Sequence, residues 1–204
     1  MSTPKVTYFD FAGSRGEEVR LALVIAGVAF DDNRISRDAF ATIKPELPFG
    51  SLPIFEVAGK GTLAQTNAIL RLIGRLYGLY PDDPWEAARH DAVLESCEDM
   101  RHRISATSQA APGADRAAAR QALAANVIPR WAKGLEQLIG KGPFVGGQRP
   151  AVADLKIYMI EKALSGGNFD DIPITVLEPF PGIKAVASGI AKHPAVVAWY
   201  ASKT

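Results

Sequence analysis

The spacing of apolar residues changes partway along this chain. Up to about residue 77, short β-branched and aromatic runs alternate with stretches of helical spacing; after Trp85 no convincing period of two is found. `KVTYF` (5–9) has the composition of a strand. `GEEVRLALVIAGV` follows, with acids in its first turn and Gly27 near its end, which are helix start and stop signals. `FDDNRI` reads as a second strand, and `RDAFATIKPE` as a short helical turn stopped at Pro45. `LPIFEV` and `GTLA`, separated by `AGK`, form a strand pair with a tight turn. From Asn67 onward, Ile69, Leu72, Ile73 and Leu76 fall on one face of a helix. The order β-α-β-α-β-β-α predicts a small α/β domain over residues 1–77.

A stretch dense in Gly, Pro and Asp, `YGLYPDDP`, then supplies a linker at 78–84. The remainder, 85–204, is Ala-rich and helical in character. Helices are expected over roughly 85–110, 113–140, 152–165 and 182–203, separated by clusters such as `GKGPFVGGQRP`. `ADLKIYMIEKAL` is apolar on nearly every side, which predicts burial all round. The fold class expected is α/β plus all-α.

Composition narrows the partners. With 23 Lys+Arg against 22 Asp+Glu the formal net charge is +1, so no global field recruits nucleic acid or an anionic membrane. Cys97 is the only cysteine, which excludes an intramolecular disulfide and suits a reducing compartment. `MSTPKVTYFDF` lacks a signal-peptide core and no apolar run reaches membrane-spanning length, so a soluble cytoplasmic protein is expected.

Most catalytic patterns are missing. His90, His102 and His193 are scattered and share no ligand spacing with Cys97 or a carboxylate, so no metal site is expected. There is no `GxSxG` elbow and no `CxxC`, and `AGSRGEE` matches neither `GxGxxG` nor a P-loop. Two oddities remain. Pro53 stands at the entrance of the strand `IFEV`, and the uncharged polar residues Gln65, Thr66 and Asn67 stand at the entrance of a helix. A proline there can be a cis turn, since X-Pro bonds resist the cis form only weakly, or it can simply end a loop at an edge strand. Exposed N–H groups make a helix N-terminus an anion site, while Thr66 or Asn67 could equally be an N-cap.

`TYFDFAGSRGEEVRLAL`, `LPFGSLPIFEV` and `LAQTNAILRLIGRLYGLY` together resemble the N-terminal domain of the cytosolic glutathione transferases, most of all the sigma-type, tyrosine-using branch. `FVGGQRPAVADLKIY` is similar to that family's entry into its buried helix. The resemblance implies a thioredoxin-like N-terminal domain, an all-helical C-terminal domain and a homodimer. It implies glutathione as cosubstrate, an electrophilic small molecule as second substrate, and no other cofactor. Tyr8 matches the residue that holds the glutathione sulfur as thiolate, supported by Arg15. Leu52, before a cis Pro53, matches the backbone that pairs with the tripeptide as an added strand would. Gln65 and Thr66 match the pair that holds the γ-glutamyl carboxylate, Lys44 the partner of the glycyl carboxylate, and Asp99 the carboxylate that reaches into the neighbouring subunit's site. A non-catalytic binding module and a glutathione-dependent peroxidase or isomerase are alternatives on the same frame.

Energetics fit the tyrosine role. Lowering a thiol pKa of ~8.5 by about two units needs roughly 2.7 kcal/mol. One hydrogen bond to a charged group contributes ~1.5–3 kcal/mol. Four departures from the family pattern carry expectations. `GSRGE` holds one extra residue, aligned as Ser14, whose hydroxyl could lie near the thiol while Arg15 is displaced. Phe40 replaces a tryptophan beside the glycyl end and loses its N–H donor, which predicts weaker glutathione binding. Thr66 replaces a serine and keeps the hydroxyl. Ala151 replaces the hydroxyl residue that usually caps the buried helix, leaving Asp154 as half of a capping box. In `ESCEDMRHR`, Glu95 and Glu98 read as a solvated acidic face and Cys97 as a packed residue. Met100, Ile104 and Tyr158 fit either a substrate pocket or the core.

Overall fold

The computed structural model describes residues 3–203 and divides into two compact units. One runs through Tyr80 and takes in the segment from His193 onward; the other is Pro81–Lys192.

The first unit is built on a four-stranded sheet of order β2-β1-β3-β4, formed by β1 (Lys5–Phe9), β2 (Asp31–Ile35), β3 (Ile54–Val57) and β4 (Gly61–Ala64). β1 and β2 are parallel, and the other pairs are antiparallel. This is the thioredoxin-like arrangement the sequence predicts. Parallel strands need a crossover, and helix α1 (Ser14–Ile25) supplies it. α2 (Arg37–Ile43) follows β2, capped by Ser36, whose hydroxyl oxygen accepts from Ala39 N–H at 3.1 Å. α3 (Thr66–Tyr77) follows β4 and ends at Gly78, whose left-handed φ of 73° suits glycine.

The buried face of α3 is Thr66, Asn67, Ile69, Leu70, Ile73 and Gly74. Of the apolar face expected from the sequence, Ile69 and Ile73 are buried, but Leu72 and Leu76 are 36% and 57% exposed. The i, i+3, i+4, i+7 set beginning at Thr66 faces inward, so the two leucines lie on an adjoining stripe.

The second unit contains α4 (Pro84–Gln109), α5 (Ala114–Ala122), α6 (Ile128–Ile139), α7 (Val152–Ser165) and α8 (Pro181–Ala191). α5 runs into α6 through a π-helical turn at Leu123–Val127. Pro129 lies just beyond, and its missing N–H removes one regular α-helical bond there. Residues 151–160 are all buried, as the unbroken apolar character of α7 predicts. Asp154 receives two backbone donors, Ala151 N–H at 2.8 Å and Val145 N–H at 2.9 Å. The half capping box is therefore present, and it also ties down the preceding loop. Burial pushes the Asp154 carboxyl up to about 7, even though those backbone hydrogen bonds act to lower it.

Two expectations need correction. Glu98 is not a solvated charge: it accepts from Arg101 at 2.9 Å and from the ammonium of Lys156, a residue of α7 whose side chain is fully buried. A long side chain from a buried helix reaches Glu98, and only the fold brings the two together. The helix expected over 182–203 is two helices, α8 and α9 (Pro194–Ala201), because Pro194 ends the first at its preceding residues and starts the second. α9 packs in the first unit, where Trp199 lies 5.6 Å from Phe30 and donates from Nε1 to Glu17 at 2.9 Å.

Candidate active site

The sheet register lines up residues that are far apart in sequence. Thr7 pairs with Ile54, and Ile54 pairs with Ala64. One step further along these strands places Tyr8, Pro53 and Gln65 side by side at the same end of the sheet. β2 ends there too, because Tyr8 and Phe9 pair with Arg34 and Ile35. The chain then enters α2, which carries Phe40 into edge-to-face contact with Phe9 at 5.2 Å.

Tyr8 is 6% exposed, so its aromatic body belongs to the core. Its ring lies directly against Gly16 of α1: a Cβ on that glycine would fall 2.0 Å from Tyr8 Cδ1. Phe9 and Phe11 contact the ring at 5.3 and 5.6 Å between centroids. The guanidinium of Arg20 lies 5.8 Å from the ring centroid. Arg20 was not singled out from the sequence as a partner of Tyr8. Its helical spacing from Glu17, i to i+3, was the available signal.

Arg15 is half-buried at the start of α1. Ser14 before it has φ 57°, in the left-handed region that a non-glycine residue enters at a cost.

Leu52–Pro53 is a cis peptide bond. Pro53 is buried, and Leu52 lies before β3 begins. Gln65 is exposed and has φ 71°, ψ 110°, again a positive φ without glycine. It occupies the N-cap position of α3, where no side chain closes the cap. Neither Thr66 nor Asn67 caps this helix. Thr66 is 5% exposed, and the buried Asn67 Oδ1 has no hydrogen-bond partner among the described residues. The N-terminal N–H groups of a twelve-residue helix therefore face the strand ends with their partial positive charge uncovered by a side-chain cap. Strained residues of this kind cluster at functional sites.

Lys44, at the end of α2, is exposed, with its ammonium 5.9 Å from the Phe40 ring centroid. In the second unit, Asp99 is exposed on α4 and lines a cavity of about 190 Å³ with Met100, Arg103, Arg130 and Trp131. Met100, Ile104 and Tyr158 are 1%, 5% and 7% exposed, which makes them core residues first. Cys97 is fully buried, as expected of a packed thiol. Among the described residues no cluster of His, Cys, Asp and Glu could hold a metal ion, and no helix is long and apolar enough to cross a membrane.

Comparison with known proteins agrees with this geometry. Residues 4–75 match the family model of the glutathione S-transferase N-terminal domain, and residues 98–203 that of the C-terminal domain. A glutathione S-transferase 1 of Ascaris suum is 35% identical over 158 residues, covering 75% of this chain and 76% of the relative. The hematopoietic prostaglandin D synthase of Gallus gallus is 27% identical over 98% of this chain and 96% of its own. Among solved structures, the prostaglandin synthase D of Nilaparvata lugens superposes with a TM-score of 0.86 at 28% identity, covering 100% of this chain and 99% of that one. The chain belongs to the cytosolic glutathione transferase family. Its activity is that of a glutathione transferase.

Proposed function

We propose that this protein binds glutathione across the strand ends of its first unit, ionises the thiol through Tyr8 and delivers the thiolate to an electrophilic carbon. The register that brings Tyr8, Pro53 and Gln65 together at one sheet end is the observation that carries this reading. Leu52 offers its backbone to the tripeptide as an added strand. The α3 N-terminus, with Gln65 and Thr66, takes the γ-glutamyl carboxylate, because N–H groups and the helix dipole favour an anion there. Lys44 takes the glycyl carboxylate beside Phe40. Arg15 adds positive potential near the thiol. Glutathione is the cosubstrate, and no further cofactor enters the scheme.

Rate enhancement comes from two sources. A thiol is a few per cent ionised at neutral pH, so a hydrogen bond from the phenol that favours the anion raises the concentration of the nucleophile. Fixing the tripeptide at both carboxylates orients the sulfur toward its target. A homodimer completes the site, with Asp99 reaching the γ-glutamyl amine bound in the other subunit. Leu72 and Leu76 of α3, together with Phe49 at 78% exposure, supply apolar surface that such an assembly would cover.

The prostaglandin D synthases among the relatives favour a second activity at the same thiolate, synthesis of a prostaglandin-type product. Retention on immobilised glutathione, followed by conjugation of a chlorinated nitroaromatic by wild type and Tyr8→Phe, tests the main reading. Retention with turnover that collapses in Tyr8→Phe is expected. Equal turnover in both proteins would move the chemistry away from Tyr8, and retention without turnover would identify a binding module.

A further inference from the structure

A chain of buried charge beneath Tyr8 has no part in the chemistry outlined above. Arg20 is fully buried, and four hydrogen bonds direct its guanidinium. Nε donates to Asp32 at 2.7 Å, Nη1 to Glu17 at 3.3 Å and to the Phe11 carbonyl at 3.2 Å, and Nη2 to the Phe9 carbonyl at 3.2 Å. The two carbonyls belong to the turn that leaves β1 immediately after Tyr8, a turn also closed by Phe11 N–H on the Phe9 carbonyl at 3.0 Å. Arg20 thus fixes both the underside of the Tyr8 ring and the backbone that follows it.

The other ends of this network are shared. Asp32 also accepts from Arg34 at 2.8 Å, and Lys203 lies 3.6 Å away; Arg34 in turn reaches Asp10 at 3.0 Å. Glu17 is fully buried on α1 and divides its carboxylate, Oε2 toward Arg20 and Oε1 to the indole N–H of Trp199 at 2.9 Å. Trp199 sits on α9, the last helix, more than 180 residues along the chain from Glu17. The charged groups linked to Arg20 include Glu17 on α1 and Asp32 on β2, with Arg34 and Lys203 beyond Asp32. Among the described residues, Trp199 is a neutral donor to Glu17.

We propose that Trp199 is a positioning residue for thiol activation: by holding Glu17 it fixes Arg20 beneath Tyr8 and so sets how strongly the tyrosine acidifies bound glutathione. This rests on Tyr8 being the group that activates the thiol. With the indole N–H removed, Glu17 has one fewer donor and turns further toward Arg20. The guanidinium follows, because a buried carboxylate claims the nearest cation. Its bonds to the Phe9 and Phe11 carbonyls lengthen, and the Tyr8 ring loses its fixed support. The effect travels through a contiguous set of hydrogen bonds, for which coupling of about threefold to tenfold is typical.

The test uses the full chain as wild type, Tyr8→Phe, Trp199→Phe and Phe30→Leu, each read by ultraviolet titration of the bound thiol and by kcat and KM for glutathione. Phe30→Leu removes a ring that lies 5.6 Å from that of Trp199, so it disturbs the seat of α9 and leaves the indole bond in place. Trp199→Phe is expected to raise the thiol's apparent pKa and lower kcat by about threefold to tenfold, with KM unchanged; Phe30→Leu is expected to change neither. Should Trp199→Phe fail to fold, Trp199→Met, which removes the same N–H and keeps a flexible apolar side chain, is expected to move the titration in the same direction. A folded Trp199→Phe or Trp199→Met protein that titrates as wild type while Tyr8→Phe is shifted overturns the inference alone. So does a Phe30→Leu protein shifted as far as Trp199→Phe. A Tyr8→Phe protein that titrates as wild type overturns the reading of the site, and the inference with it.

Discussion

Breaking the buried ion pair of the helical unit from its two ends should give very different results. Lys156 has a fully buried side chain, whereas that of Glu98 is 16% exposed and also pairs with Arg101 at 2.9 Å. Glu98→Gln takes the negative charge of Glu98 away from the buried Lys156 ammonium. Removing one member of a buried pair costs about 3–5 kcal/mol, and the glutamine carbonyl, which still accepts a hydrogen bond, brings this to roughly 2–4 kcal/mol. Lys156→Met instead removes the charge that is hardest to bury and fills the space with an apolar side chain of similar length. Glu98 keeps Arg101 and some contact with water, so the change should lie within about 1 kcal/mol of zero. For a chain of this size 1 kcal/mol moves Tm by roughly 2–4 °C, so Glu98→Gln should melt about 4–16 °C below wild type. Urea unfolding of the two variants gives the comparison directly. A Lys156→Met protein that loses as much stability as Glu98→Gln would refute the claim that desolvation of the lysine dominates this pair.

Three further outcomes follow from single features. Ser14→Gly should raise stability by about 1 kcal/mol, since glycine enters the left-handed region without the Cβ clash; a lower urea midpoint would contradict it. Phe40→Trp, which adds an indole donor where the glycyl end is proposed to lie, should tighten glutathione binding, measured by calorimetry; an unchanged Kd would reject the role given to residue 40. Burial holds His90 below its usual value of 6.5, so the folded state binds fewer protons and stability falls as pH drops below about 6.5. Each unit of that depression corresponds to ~1.4 kcal/mol, and His90→Gln should flatten this part of the stability profile relative to wild type. A variant with the same acid slope would assign the loss to other groups.

Much of the first unit was legible because its signals are local. Period-two runs, the acidic start of α1, the `AGK` turn and Pro45 each act over a few residues, and each element appears where they put it. Tyr8, Pro53 and Gln65 could be named through the family resemblance, but their alignment at one sheet end is a property of strand register. What stayed hidden was charge in the core. Glu17 and Glu18 read as helix-start acids, yet both are fully buried. Lys156 looks like a blemish in an apolar helix, and Glu98 like a solvated acid, until α4 and α7 bring them together. Partners 58 or 182 residues apart leave no periodicity to detect. Leu72 and Leu76 show the opposite failure: helical spacing identified the helix correctly and misjudged by one stripe which face is inside.

Acidification of the bound sulfur is the step on which the account turns. Glutathione bound to the wild-type protein should titrate about two pH units below the free tripeptide, and Tyr8→Phe should return most of that difference while the tripeptide still binds. A bound thiol that titrates with the free peptide in the wild-type protein would contradict the chemistry given to Tyr8, whatever the fold.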